Sequence, residues 1–412
     1  MKPTESEMEE LKKMVSQAME EGAFGISSLM GNMYPEEIME LCKVVASYGG
    51  CFDMHSRGND GQTLIEGLKE GLWVAEKAGI PFNYSHLYGR HPANWGKVVE
   101  ALRMIAEARY RGVEATVDVY PTILCMASTP LAIFECQGGT MIGRVHKNPW
   151  PDKTFEQMMN DMKDNETYEE LKKDLDKCYE KEAMLIHEKR EKLPFVAASA
   201  MPDVRNLRTQ YVVAHSKSHP EFNGKYINDI AVAMGIEDPL DALRKIILDD
   251  EGTTIGNTGA FREEDLIAAL KASFTSIGSD SSVLDAPPPP ERLGSWRSYG
   301  SFSIVLDRYV RQLGILSWEE AIRKMTSLVA NRIGLRDRGV LREGNWADIV
   351  VFDPKSIKNN ATWETPTRYP DGIPYVLVNG QMVIDEGEHT GLLAGKVLTH
   401  YTKKNHALVQ NS

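Results

Sequence analysis

Four short apolar segments recur at near-even intervals along the first part of the chain: GAFGISS at 22–28, CFDMHSR at 51–57, PFNYSHL at 81–87 and VEATVDVYP at 113–121. Stretches with apolar residues at i, i+3 and i+4 separate them, such as YPEEIMELCKVVASYGG, TLIEGLKEGLWVAEKAGI and WGKVVEALRMIAEARYRG, and each ends at a glycine able to cap a helix. Strand, helix, strand at this period is the βα unit, which builds parallel sheets. A fifth strand, FTSIGSD, comes only at 274–280. The repeat alone is compatible with an open sheet or a closed barrel.

The long gap before the fifth strand reads as an insertion over one face of the sheet. Its charged middle, DKTFEQMMNDMKDNETYEELKKDLDKCYEKEAMLIHEKREK, reads as a solvated helix pair, and NGKYINDIAVAMGIEDPLDALRKIILDDEG as two short packed helices. DAPPPPERLG is a rigid proline-rich turn. SWEEAIRKMTSLVANRIGL predicts a helix with Ser317 as N-cap and Glu320 three residues on. From 338 onward, short β runs split by Gly and Asn-Gly turns predict a separate small module. The expected division is barrel at 1–124, an inserted mainly helical subdomain at 125–265, the last barrel strand and its helices at 266–337, and a β-sandwich module with a tail at 338–412.

Composition narrows the function. With 412 residues and a net charge of −12, nucleic acid and anionic membrane are poor partners. No apolar run is long enough to span a bilayer, and the charged N-terminus reads as a helix rather than a signal peptide. Five cysteines without CxxC spacing suit a reduced, cytoplasmic setting.

In a barrel, residues at the C-terminal ends of the strands share one mouth. His55, His86, Asp118 and Asp280 fall at such ends. Two imidazoles and a carboxylate suit Zn²⁺, with manganese and nickel left open by ligand type alone. A metal there acidifies a bound water, and Asp280 can take its proton and pass it to a leaving amine. For Asp118 a structural role stands equally open. Cys51 and Asp53 share the strand face of His55, Cys51 too far below the mouth for ligation. The other histidines, His91, His146, His187, His215, His219, His389, His400 and His406, default to solvated positions, with His91 worth watching because it follows His86 on the mouth-side loop.

GAFGISS, DMHSRG, YSHLYGRHPANWGKVVEAL, ATVDVYP, SIGSDSS, RSYGSF, MTSLVANRIGLRDRGVLREGNWADIVVFDP and VLVNGQMVIDEGEHTG together resemble the D-aminoacylase (N-acyl-D-amino-acid deacylase) group of the amidohydrolase superfamily, over residues 9 to 397. The resemblance implies a zinc-dependent (β/α)8 TIM-like metallo-hydrolase barrel with an inserted subdomain and a β-sandwich. It implies His55 and His86 as metal ligands of the fifth and sixth strands and Asp280 as the catalytic aspartate of the eighth. It further implies Tyr120 polarising the scissile carbonyl and Arg297 near the substrate carboxylate. Tyr88, standing where the group has a lysine, and Arg57 complete the expected substrate-binding set. One zinc is expected, with an N-acyl amino acid as substrate.

The family's HxH motif and its metal-bridging cysteine have no counterpart, so by the resemblance strands four to eight are present and three are absent. Such a sheet is expected to expose two edges and much apolar surface, to be covered by self-association or by an N-terminal barrel-completing chain. Alternatives to the deacylase are a non-catalytic remnant, one half of a split enzyme, and a cyclic-amide hydrolase of the hydantoinase or dihydroorotase kind.

Overall fold

The computed structural model describes residues 3–29, 33–55, 64–89, 94–122, 153–177, 211–258, 262–281, 296–362 and 365–400. Arg57, His91, the proline-rich turn and the middle of the insertion lie outside them.

The four predicted N-terminal strands form: β1 (Gly25–Leu29), β2 (Cys51–His55), β3 (Phe82–Tyr84) and β4 (Ala115–Val119). The helices Pro35–Ser47, Leu64–Ala78 and Lys97–Tyr110 connect them. The predicted glycine stops hold: Gly49, Gly79 and Gly112 follow those helices at φ +77°, +65° and +98°, a region costly for any side chain with a Cβ.

Between β4 and the fifth barrel strand the chain departs into the insertion. Helices Phe155–Lys163, 165–177, Ile227–Met234 and Pro239–Asp249 are joined there by an antiparallel sheet of β5 (Tyr211–His215), β6 (Lys225–Tyr226) and β7 (Ile255–Thr258), in the order β6-β5-β7. The insertion has its own core, including Met162, Tyr168, Tyr211, Leu243 and Ile246. Beside its helices the insertion thus carries three short strands that the sequence reading does not separate from helix. YVVAH is a short continuous apolar run, and such a run does not alternate in a way that separates a buried strand from a buried helix.

The chain then returns as β8 (Thr275–Ile277), which pairs parallel with β4 to give the order β1-β2-β3-β4-β8. Helix Pro35–Ser47 packs on Leu64–Ala78, that on Lys97–Tyr110, and that on Glu263–Lys271, in the order of the strands they serve. One continuous helical layer on one face is the arrangement of a barrel wall, whereas a doubly wound sheet places helices on both faces. Gly71 makes the layer close: a Cβ there would stand 2.6 Å from Phe82 Cζ and 2.8 Å from Met54 Sδ.

Alternation sorts the two faces. Phe52 and Met54 on β2, and Ala115, Val117 and Val119 on β4, are buried. Asp53, His55, Thr116 and Asp118 point the other way. The register sets Asp53 beside Asn83, Asn83 beside Thr116, and Asp118 beside Ser276. The inner face is thus polar and hydrogen-bonded. Neither outer edge, of β1 or of β8, pairs with another strand among the described residues.

The predicted capped helix begins at Ser317, whose hydroxyl accepts the Glu320 N–H at 3.2 Å. It breaks at Thr326 (φ −131°, ψ −90°) into Trp318–Met325 and Ser327–Arg332. The C-terminal module is one antiparallel sheet among the described residues, β12-β11-β10-β9, built from β9 (Ile349–Val351), β10 (Tyr375–Val378), β11 (Gln381–Asp385) and β12 (Glu388–His389). Exposed apolar side chains collect here: Leu341 is 77% exposed, and Val350 and Val351 are also open. His400, expected in a solvated tail, is buried instead, its ring edge-on to Phe24 at 5.9 Å and its N–H donating to Gly22 O at 2.8 Å. His215, also expected at a solvated position, is half-buried at the end of β5. No described helix is long and apolar enough to cross a membrane.

Candidate metal and substrate site

His55 is the last residue of β2 and His86 lies two residues beyond β3, so neighbouring parallel strands bring both to the same rim. His55 Nδ1 stands 2.7 Å from His86 Nε2, and the rings cross at 77° with centroids 4.4 Å apart. At that distance one imidazole donates its N–H to the other.

His86 reaches this position through a left-handed backbone, φ +37°, and Asp280 beyond β8 has φ +46°. Histidine and aspartate enter this region more readily than most residues, yet it requires support. For His86 the support is Asp118, whose Oδ1 accepts the His86 N–H at 2.8 Å. Asp118 Oδ2 accepts from Asn83 Nδ2 at 2.6 Å, and Asn83 Nδ2 also donates to Asp53 Oδ1 at 2.5 Å. Asp53 Oδ2 accepts from the Ser85 hydroxyl at 2.7 Å. On its other side, Asn83 Oδ1 accepts from Thr116 Oγ1 at 3.0 Å and Arg332 Nη1 at 2.6 Å. Arg332 also lies 3.6 Å from Asp118 Oδ2. Burial pushes the Asp118 carboxyl above its ordinary range, and the nearby Asp53 adds to this; Arg332 and the donors from His86 and Asn83 oppose it.

From His86 a chain of aromatic contacts leads to the catalytic candidate. Tyr88 lies parallel to His86 at 6.4 Å, and Tyr120 sits 4.3 Å from Tyr88. Arg297 covers the Tyr120 ring at 4.2 Å and donates to Asp280 Oδ2 at 2.8 Å. Arg297 is 2% exposed and Asp280 45%, so the cation is sunk and the carboxylate faces the opening. Six of the seven expected residues, His55, His86, Tyr88, Tyr120, Arg297 and Asp280, therefore form one continuous contact path, and Arg57 falls outside the described residues.

Two expected roles change in detail. The Tyr88 hydroxyl donates to Tyr120 O and accepts from Tyr120 N, both at 2.5 Å, so it pins the segment after β4 instead of facing substrate. Burial raises its phenol well above the ordinary range, which keeps it protonated for that task. Tyr120 itself is buried between Tyr88 and Arg297, a wall of the site in this conformation.

The donor set suits a zinc-type metal as far as it goes. Neutral imidazole nitrogens are ordinary zinc ligands, and two on one tetrahedral ion stand about 3.3 Å apart. Binding therefore requires the shared proton to leave and the rings to part by about 0.6 Å. Among the described residues no third His, Cys, Asp or Glu joins them in a group able to hold a metal. A catalytic zinc takes three protein ligands, so this chain's described residues supply only part of such a set.

Asn83, Ser85 and Arg332 were not anticipated as site residues. A polar residue inside the otherwise apolar and aromatic PFNY was the available signal for Asn83. Arg332 had none, being 249 residues away from Asn83 in sequence.

Comparison with known proteins finds relatives over most of the chain. Residues 199–384 match the amidohydrolase family model. N-acyl-D-glutamate deacylase of Alcaligenes xylosoxydans xylosoxydans is 29% identical over 389 residues, 93% of this chain and 62% of the relative. The D-aminoacylase of the same organism is 28% identical over 402 residues, 96% of this chain and 65% of the relative. A D-aminoacylase crystal structure superposes with a TM-score of 0.63 at 24% identity, covering 97% of this chain and 67% of that one. N-acyl-D-glutamate deacylase from Bordetella bronchiseptica, complexed with zinc and a phosphonate mimic of the tetrahedral intermediate, gives 0.59 at 25% identity, covering 96% and 68%. The chain thus spans under two thirds of the length of the curated relatives it matches.

Proposed function

Starting from a chain related in sequence and fold to the D-aminoacylases, we propose that it carries metal-binding and proton-transfer strand ends of an amidohydrolase that splits N-acyl-D-amino acids into a carboxylate and a D-amino acid. The observation that carries this reading is the His55–His86 imidazole pair, with facing nitrogens 2.7 Å apart on adjacent strand ends. One divalent metal is proposed there, and zinc is favoured by the zinc complex of the Bordetella relative. When bound, such an ion supplies an acidified water and a Lewis acid for the amide carbonyl.

The chain's own residues do the rest. His55 and His86 present ring nitrogens. The Asp280 carboxylate accepts a proton and delivers it to the leaving amine nitrogen, and Arg297 aims it through the 2.8 Å bond. The Arg297 guanidinium is also the cation for the carboxylate of the amino-acid product. Tyr120, whose ring lies under that guanidinium, is the proposed hydrogen-bond donor to the scissile carbonyl.

The shortage of metal ligands among the described residues favours one second reading, in which the chain works as one part of a split enzyme whose remaining ligands come from a separate N-terminal chain. Zinc per chain, measured on protein purified without chelator and on His55→Ala/His86→Ala, tests the main reading. Stoichiometric zinc that the double variant loses supports it, and a panel of N-acyl-D-, N-acyl-L- and cyclic amides then assigns the substrate. Zinc in neither protein overturns autonomous metal binding, and restoration by an added N-terminal chain establishes the split form.

A further inference from the structure

We infer that Arg332 is a positioning residue for His86, acting through Asp118 and Asn83 from the far end of the chain. The geometric claim stands by itself; its consequence for metal binding rests on the function proposed above. At φ +37° the His86 backbone occupies a conformation that is unfavourable for a residue with a Cβ. Such a residue keeps it only where its surroundings over-determine it. Asp118 provides the main-chain anchor by accepting the His86 N–H. An anchor is only as fixed as its own carboxylate, and two groups fix that carboxylate from the side away from His86. Asn83 donates to Asp118 Oδ2, and the Arg332 guanidinium lies 3.6 Å from the same oxygen.

Arg332 also controls Asn83. Its Nη1 donates to Asn83 Oδ1 at 2.6 Å and to the Ser276 hydroxyl at 3.2 Å. Oriented this way, the Asn83 amide points its N–H groups at Asp53 and Asp118. Without the guanidinium, Asn83 Oδ1 keeps only the Thr116 hydroxyl among these side-chain donors, and Asp118 loses the positive charge beside it. Both changes loosen the carboxylate that holds His86. Arg332 ends the short helix Ser327–Arg332 after the break at Thr326, so the break sets where the guanidinium enters the inner face. The last described helix is in this way tied to a histidine just beyond β3, through side chains from β3, β4 and β8.

The test is ¹H–¹⁵N NMR of metal-free, histidine-labelled protein, read together with zinc affinity. In Arg332→Met, which keeps the length of the stem, the His86 amide and imidazole resonances shift while those of His219 in the insertion stay in place. Zinc binding weakens about ten- to hundredfold, the usual effect of losing a partner behind a metal ligand. Asp118→Asn reproduces the shift, and adding Arg332→Met to it gives little more. Arg332→Lys keeps the charge but on a shorter side chain without the planar head group, and falls between. A merely structural role would lower the melting temperature without moving His86, and unmoved His86 signals in folded Arg332→Met overturn the inference. If that variant does not fold, Arg332→Lys decides by the same signals. Shifted His86 signals in a protein that binds no zinc even as wild type would leave the inference standing and remove autonomous metal binding.

Discussion

Asn83→Asp alters no side-chain volume, yet it replaces the one amide that separates two carboxylates. Asn83 is 1% exposed, and its Nδ2 donates to both Asp53 and Asp118. An ionised carboxylate at this position would face two others at hydrogen-bond distance, so the introduced group protonates and donates to one neighbour while the bond to the other is lost. From an unfolded-state pKa near 3.9, holding a carboxyl protonated costs up to about 4 kcal/mol at pH 7 and about 1.5 at pH 5. The lost bond to a charged acceptor adds roughly 1.5–3 kcal/mol at either pH. Arg332, 2.6 Å from the retained oxygen, favours ionisation and trims the first figure.

The sign follows from proton binding. Here the folded variant binds the extra proton more tightly than the unfolded chain, so the proton-linked part of its deficit is small below pH 4 and grows as pH rises toward the folded pKa, on top of the constant loss of the bond. Urea denaturation of both proteins at pH 5 and pH 7 measures it, with the difference between them expected to widen by about 2 kcal/mol over that interval. A deficit of the same size at both pH values would refute the picture of Asn83 as an obligatory neutral donor between two acids.

Other expectations test separate parts of the fold. Gly71→Ala gains helix propensity worth about 1 kcal/mol but drives a methyl into Phe82 and Met54; overpacking prevails, and thermal unfolding will show a net loss of roughly 1–2 kcal/mol. Lys324 is fully buried and donates to the carbonyls of Ala272 and Thr275, so Lys324→Met leaves two acceptors bare and lowers stability by about 2–4 kcal/mol in chemical denaturation. His219 is held by Asp249 at 2.6 Å, and that contact raises its pKa above the usual value. A raised base stabilises below its unfolded pKa and loses this as pH passes the folded one. His219→Gln will therefore cost up to about 1 kcal/mol at pH 5.5 and less at pH 8.5; an equal cost at both would count against the ion pair.

How much of the site was legible depended on whether a residue's neighbours lie near it in sequence or only in space. His55 and His86 could be paired from the sequence, because a βα repeat places successive strand ends side by side and each residue lies at or just beyond the end of its strand. Asp280 was legible for the same reason, despite the long insertion before β8. Tyr88 was not: its position suggested a substrate contact, and only the packing showed its hydroxyl closed on the Tyr120 backbone. The polar character of the inner face was missed as well. Alternation says that Asp53, Thr116 and Asp118 share a face, but not that Asn83 would satisfy both acids at once.

The sequence by itself determined the βα period, the glycine stops, the serine cap at 317 and the two histidines, since all of these follow from local backbone preference and side-chain periodicity. Tertiary structure alone decided the rest: the helical layer packed in strand order, the sheet inside the insertion, the burial of His400, and Arg332 seated behind His86. Periodicity assigns a residue to a face, but the partner it meets there is chosen by how distant elements pack, and that information is spread over the whole chain.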